Sequence, residues 1–524
     1  MVKIISVITG IFINKNLSDS NSLLCLYRIA GLFGLLLLFT VSASAQKTTQ
    51  IQHDSRSMEY DKNLANGAYR LIGNVVFRHA GSIMYCDSAY FYSGQNALDA
   101  FSHVYINQGD TLHLYGDFLN YNGNNRMAKI RRNVKLLYKE TTLTTENLDF
   151  DLGKNVGYYM DSAHIVRGEN ILTSKEGYYY TKKDLFNFKE DVIVRNPDYT
   201  IYSDTMDFNT ETEIAYFNGP TSIVSDTNYI YCESGWYNTQ TNISRLYKNA
   251  YLSSKDQCIS GDSLYYEREN GYGVARRNVE IIDTTQHIIL RSNYAVYHEK
   301  DKRSMLTDSA LFIQVGEKDS LYMHADTLRS EPDTAGQKIL KAYYHVKLFK
   351  TDFQGKCDSL SYSFTDSTIR LFHEPVLWYN QYQETATFID ILTKDKNVDK
   401  MNLKQNAFII NRKDTSMFDQ IKGKDMVCHF KNGKMQKIYV NGNSQTIFYP
   451  EDENGFIGMN KAESSDMIIY FDEGEMDYIK FYPKPVSVLY PLSQVPENEK
   501  KLKGFKWLEK YRAKNKEDIF RWVE

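Results

Sequence analysis

From Leu71 to Tyr92 the chain reads LIGNVVFRHAGSIMYCDSAYFY, two stretches of alternating apolar and polar residues around a turn at Ala80-Gly81. In a strand, residues two apart share a face, so the second stretch places Asp87, Ala89 and Phe91 together. The same triplet returns at Asp117/Leu119/Tyr121, Glu146/Leu148/Phe150, Glu176/Tyr178/Tyr180, Asp204/Met206/Phe208, Glu233/Gly235/Tyr237 and Asp262/Leu264/Tyr266. Asn293/Ala295/Tyr297 and Asp358/Leu360/Tyr362 follow, with a degenerate copy at Asp326/Leu328/Ser330. Successive anchors lie 28 to 33 residues apart, the signature of a repeat architecture. A weaker first copy occupies about 54–83, with Met58 and Tyr60 on its leading strand.

A second signature lies about 17 residues after each acid: Asn74-Val75, His103-Val104, Asn133-Val134, Asp191-Val192 and Asn278-Val279. Alternating apolar residues follow it, and turn clusters such as Ser93-Gly94-Gln95-Asn96 and Asn122-Gly123-Asn124-Asn125 separate the two signatures. Each repeat therefore holds at least two half-buried strands and two turns, one face buried and the other solvated. Regular repeats run over 46–383. Over 384–490 they diverge, with anchors near Glu384, Asp425 and Asp466 and extra residues such as those around Glu451–Gly455. Pro483, Pro485, Pro491 and Pro496 close the strand pattern. Residues 491–524 form a proline-bearing linker and a lysine-rich tail. Leu502, Phe505, Leu508 and Tyr511 or Arg512 predict a short amphipathic helix there, laid over the last open sheet edge or docked on a membrane or a partner.

The 524 residues would ordinarily imply several domains, but stacked repeats can form one long domain. Tyr alone supplies 41 residues and Pro only 9, a balance that favours strands. A net charge of −3 gives no electrostatic reason to expect nucleic acid. Arg28, the apolar run 29–41 and Ser42-Ala43-Ser44-Ala45 predict a signal peptide over 1–45, cleaved before Gln46. Of the five cysteines beyond it, Cys86, Cys232 and Cys357 precede repeat acids at a position that elsewhere holds Gly116, Ser203 or Gly261, and read as small filler. Cys232 and Cys258 are the one pair close enough in sequence to be weighed as a disulfide.

No H-E-x-x-H, C-x-x-C, G-x-S-x-G or P-loop is present, and the histidines are dispersed. No catalytic residue, metal site or cofactor is assigned. A ladder of acids could bind calcium or serve a glycosidase. One acid per repeat at a strand start more simply caps a turn through nearby backbone N–H groups.

The segment Gly73, Asn74, Val75, Phe77, Ile83 and Asp87, with Arg132-Asn133-Val134 and Arg277-Asn278-Val279, resembles the repeat of the OstA/LptA family. The resemblance spans about 54–490. It implies an all-β fold, an elongated repeat-built β-jelly roll, located in the periplasm or associated with the outer membrane. It also implies a non-enzymatic protein that carries lipopolysaccharide with acyl chains inside. The chain is about three times longer than the small periplasmic members and lacks the membrane barrel of the large outer-membrane one. The expected lipid-contacting interior comprises Ala89, Phe91, Val104, Ile106, Leu119, Tyr121, Val134, Leu136, Leu148, Phe150, Val192, Val194, Met206, Phe208, Leu264, Tyr266, Val279 and Ile281. Expected partners are lipopolysaccharide and other jelly-roll transport proteins joined by edge-strand pairing. The alternative is a structural or adhesive envelope rod with a dry core and no lipid. With about 14 repeats, such a rod is roughly 65 Å long at one strand per layer per repeat, or roughly 130 Å at two.

Overall fold

Each repeat is a pair of long antiparallel strands, and every strand bends near its middle. The computed structural model describes residues 49–60, 62, 67–109, 112–394, 397–453, 455–473 and 475–523. The export segment lies outside them. Tyr69–His79, Ser82–Tyr92, Ala97–Gln108, Leu112–Asn122 and Met127–Tyr138 pair in succession, each with a register shift at its centre. The two halves of each strand belong to two facing layers. Where the bend is wider the strand splits. One end of Thr141–Asp151 pairs with Val156–Tyr159 and the other with Ala163–Arg167. Each repeat adds two strands to each layer, so the longer expected length, roughly 130 Å, applies. The pairing runs through 384–490 without a break, in strands as long as Asn397–Arg412.

The second sequence signature is the corner of the roll. Gly73/Asn74, Ser102/His103, Arg132/Asn133, Glu190/Asp191, Lys248/Asn249 and Arg277/Asn278 all have positive φ, two consecutive residues at each bend. Left-handed backbone is costly for most L-residues and least so for Gly, Asn and Asp, which is why those residues recur there. The repeat acids complete the corner from the neighbouring strand. Asp87 bonds the His103 ring at 2.7 Å, Asp117 the Asn133 amide at 2.7 Å, Glu233 the Asn249 amide at 2.8 Å and Asp262 the Asn278 amide at 3.1 Å. The acids thus hold a side-chain partner across the bend in these repeats. The expected backbone N–H bond appears in the divergent ones, at Asp425 to Gln405 and Asp466 to Gly442.

The bend also corrects the shared face read from spacing. Its extra residue turns Asp87 outward, while Cys86 and Ala89 on either side both point in and are buried. The inward position before each acid must be small, because the layers converge there. A Cβ on Gly116 would meet the Ile130 Cγ2 at 2.4 Å. Cys86, Cys232 and Cys357 fill it as buried thiols, and all five described cysteines, Cys258 included, are unpaired.

The tail is not a helix. Residues 492–520 form four separate three-residue turns, Leu492–Gln494, Glu497–Glu499, Glu509–Tyr511 and Asp518–Phe520, and run back across the outer face of one layer, rather than over its edge. Leu502, Phe505, Leu508 and Tyr511 are three apart, the period of i→i+3 turns and not the 3.6 of an α-helix.

Candidate functional site

Two rows of inward side chains line the interior, each in unbroken register along the rod. On one layer the aromatic of each triplet alternates with its neighbour: Phe91, Leu98, Tyr121, Ala128, Phe150, Gly157, Tyr179, Phe186, Phe208, Ala215, Tyr237, Ser244, Tyr266, Gly273, Tyr297. The fourth repeat corrects the expected triplet by one residue: Lys175, paired with Asp191, holds the corner in place of Glu176, so Tyr179 points inward and Tyr178 and Tyr180 do not. The facing layer carries an aliphatic row that runs from Phe77 and Met84 through Ile165, Ile201, Ile223, Ile230, Leu252, Ile259, Ile281 and Leu290 to Phe312 and Met323. Phe91, Tyr121, Phe150 and Tyr179 are buried, whereas Phe208, Tyr237 and Tyr266 are half-buried and Tyr297 is 43 % exposed. The aliphatic row changes over the same stretch. Ile201 and Phe312 are buried, and the six residues Ile223, Ile230, Leu252, Ile259, Ile281 and Leu290 between them are half-buried. The apolar core accordingly divides into one cluster ending at Ala250 and another beginning at Ala275, with the half-buried Leu264 packed against both.

The opening has two local causes. Ala215, Ser244 and Gly273 follow one another between the aromatics, whereas in the closed part the small Ala128 and Gly157 are flanked by the bulky Leu98 and Phe186. The mouth opposite the corner is also unbridged there. Toward the N-terminus it is stitched by residues about 45 apart: Arg126 to the Ala80 carbonyl at 3.4 Å, Lys139 to Asp184 at 2.8 Å and Arg167 to Glu213 at 2.5 Å. Toward the C-terminus the Tyr379 hydroxyl bonds the Gly433 carbonyl. Between Arg167–Glu213 and Tyr379–Gly433, no hydrogen bond or ion pair among the described residues crosses the mouth. The turns there bond along their own layer, as Thr284 to Asp256 and Tyr266 to Glu299 do. The lip of the aliphatic layer is polar, with Ser225, Asn228, Ser254, Gln257 and Asp283. An aliphatic floor, a polar lip and spaced tyrosines can hold an amphiphile. Among the described residues no three His, Cys, Asp or Glu side chains converge as a metal site would require.

Residues 47–204 match the family model for OstA-like proteins. This part of the chain is OstA-like. Among solved structures the chain is similar to LptH of Pseudomonas aeruginosa, described as the LptA homologous periplasmic component of the conserved lipopolysaccharide transport device. The identity is 14 %, the match covers 22 % of this chain and 82 % of LptH, and the TM-score is 0.19. No curated protein matches the sequence.

The OstA-like segment lies in the N-terminal of two closed parts of the roll. All of the expected interior residues point inward, but they divide by position. Ala89, Phe91, Val104, Ile106, Leu119, Tyr121, Val134, Leu136, Leu148, Phe150, Val192, Val194 and Met206 lie in closed core. Val279 is also buried, beside the corner of the opening. Phe208, Leu264, Tyr266 and Ile281 line the opening. Sequence reasoning missed Ile223, Ile230, Leu252, Ile259 and Leu290, whose alternation with polar residues carries the signal.

Glu384 is a further correction. It is not a corner acid: it points inward in the aliphatic row, between Leu377 and Ile409, fully buried and with neither carboxylate oxygen hydrogen-bonded. The corner falls instead at Thr387, 29 residues after Asp358 and so within the regular spacing, and its N–H bonds the Gln405 carbonyl. Burial pushes the Glu384 carboxyl up to about 8. Between the ordinary 4.5 and about 8, the folded chain keeps a proton that the unfolded chain has lost, so stability falls as pH rises through that window. Glu384→Gln is expected to flatten this fall. In urea unfolding at pH 5 and pH 8, the midpoint should drop less for the variant than for the parent, and equal drops would refute the assignment.

Proposed function

We propose that the protein is a periplasmic lipid carrier that conveys lipopolysaccharide toward the outer membrane, with acyl chains along the aliphatic row and the polar part emerging between Phe208 and Tyr297. The observation that carries this reading is the in-register passage of both rows from buried to half-exposed beneath a polar lip. Each methylene moved from water into such a track contributes about 0.8 kcal/mol, and a row of similar aliphatic residues offers steps of similar affinity. The OstA-like character of 47–204 supports the same reading. Among the described residues, both ends of the rod present strand edges with no further partner, Gln52–Asp54 and Ser57–Tyr60 at one, Glu475–Tyr482 and Val486–Pro491 at the other. Val486, Val488 and Leu489 are exposed on the latter. Such edges suit strand addition by another jelly roll.

The full burial of Tyr121 and Phe150 favours a second reading, a structural rod with a dry core. The test is solvent extraction and mass spectrometry of protein purified gently from the envelope. Lipid A or lipopolysaccharide in the extract is expected. A lipid-free protein that also fails to bind added lipopolysaccharide would overturn the carrier reading and leave the dry rod.

A further inference from the structure

The lysine-rich tail lies on a track built for it. One row of outward side chains crosses the strands in register: Phe349, Gln354, Trp378, Gln383, Ile410, Gln420, Ile447, Lys461. An amide alternates with an apolar side chain, so one glutamine recurs every second strand, a step of about 9.6 Å. Gln383 and Gln420 are both buried, and each reads the tail main chain with both ends of its amide. Gln420 donates to the Lys500 carbonyl at 2.8 Å and accepts from the Leu502 N–H at 2.8 Å. Gln383 donates to the Lys506 carbonyl at 2.7 Å and accepts from the Leu508 N–H at 2.6 Å. Gln354 accepts from the Arg512 guanidinium at 2.7 Å.

The tail therefore advances six residues per glutamine, and its own turns keep the same step: Phe505 N–H to Leu502 carbonyl, then Tyr511 N–H to Leu508 carbonyl. A six-residue period in the tail matches the two-strand period of the sheet. The far end is fixed differently, by Lys356 over the Tyr511 and Trp522 rings at 4.1 and 4.2 Å and by Phe520 against His324. No tail residue beyond Pro491 enters the strand ladder. The sheet is complete without it, and the bonds that hold the tail main chain come from side chains of the rod. That is the relation of a ligand to a site. Beneath the tail lie Phe408, Ile410, Ile447 and Met459, a patch buried with Leu502.

We propose that this row is a peptide-recognition track, that residues 497–523 occupy it as an exchangeable ligand, and that the tail of a second copy of this chain takes the same place. The prolines at 491 and 496 bound the only connection, and exchange of an identical element between copies requires no new contact.

The test uses the full chain with a protease site inserted after Gln494, cut while folded. The cut tail is expected to stay bound and to be replaced by excess labelled synthetic peptide of residues 497–524. The same exchange in a Gln383→Ala, Gln420→Ala background should leave peptide binding at least about tenfold weaker. A peptide lacking Lys503, one of the many lysines of the tail, breaks the six-residue step, and it should also bind at least about tenfold more weakly, whereas a Lys503→Ala peptide, which loses the same charge and keeps the step, should bind like the parent. Two differently labelled uncut chains, mixed at high concentration, should form a mixed dimer that excess peptide dissolves. A cut tail that never exchanges, one that leaves and does not rebind, or equal binding by the Lys503-deleted peptide would each overturn the proposal. So would mixed chains that stay separate.

Discussion

Leu264→Asp is expected to strip lipid from the protein while leaving the rod folded. Leu264 points inward between Leu246 and Ala275 and is the half-buried residue that both apolar clusters share. Because it is already part-exposed, its replacement should cost the fold only about 1 kcal/mol, roughly half the value of a fully buried leucine. The cost to an acyl chain is larger. A carboxylate held against a hydrocarbon has no partner, and such unpaired polar groups cost at least 1–3 kcal/mol. Bound lipid, measured by mass spectrometry against protein amount, should fall at least about tenfold. Tyr90→Ser, on the outward face of the same layer, should leave it unchanged. Retained lipid in the Leu264 variant, or equal loss in both, would remove the interior opening from the ligand path.

Phe150→Asp should do the opposite, breaking the fold where no ligand space exists. The Phe150 ring is fully buried, and a Cβ added at Gly157 would stand 2.8 Å from it, so the ring lies directly on the neighbouring backbone. Truncating a buried phenylalanine costs about 3–5 kcal/mol, and an unpaired carboxylate in its place adds further cost. The sum rivals the roughly 5–15 kcal/mol that holds a typical domain together. In a repeat array each unit contacts only its neighbours, so the damage should stay local. Hydrogen exchange is expected to show lost protection over the units around residues 127–160 and retained protection beyond about 300. Uniform loss along the chain would mean a single cooperative unit, and no loss would mean that the interior at Phe150 can open.

The strands, their repeat and their inward face were readable in advance because period-two alternation is a property of each strand alone. Leu119, Leu136 and Leu148 could be assigned to the interior without knowing any partner. The Asn-Val signature was visible, but its meaning was not. Its residues tolerate left-handed backbone, yet only the register shifts at 72/75, 101/104 and 131/134 identify them as corners. The acids were read as turn caps, while their partner in four repeats, a side chain 16 residues away across a bend, is a matter of packing. Glu384 failed for the same reason. It matched the 41-residue step between Asp425 and Asp466, but the corner kept the regular step from Asp358 and fell at Thr387, which leaves Glu384 pointing inward. The tail failed because a period of three was taken for one of 3.6.

What the sequence determined by itself is therefore everything that alternation and repetition carry: an all-β array, two strands and two turns per unit, and a continuous apolar face. What only the tertiary structure decided is how far apart the two copies of that face stand. That distance depends on pairs such as Arg167 and Glu213, 46 residues apart, and on the succession of small residues Ala215, Ser244 and Gly273 in the aromatic row. Local periodicity cannot encode a gap between layers, because the gap belongs to contacts across the mouth and not to any one strand.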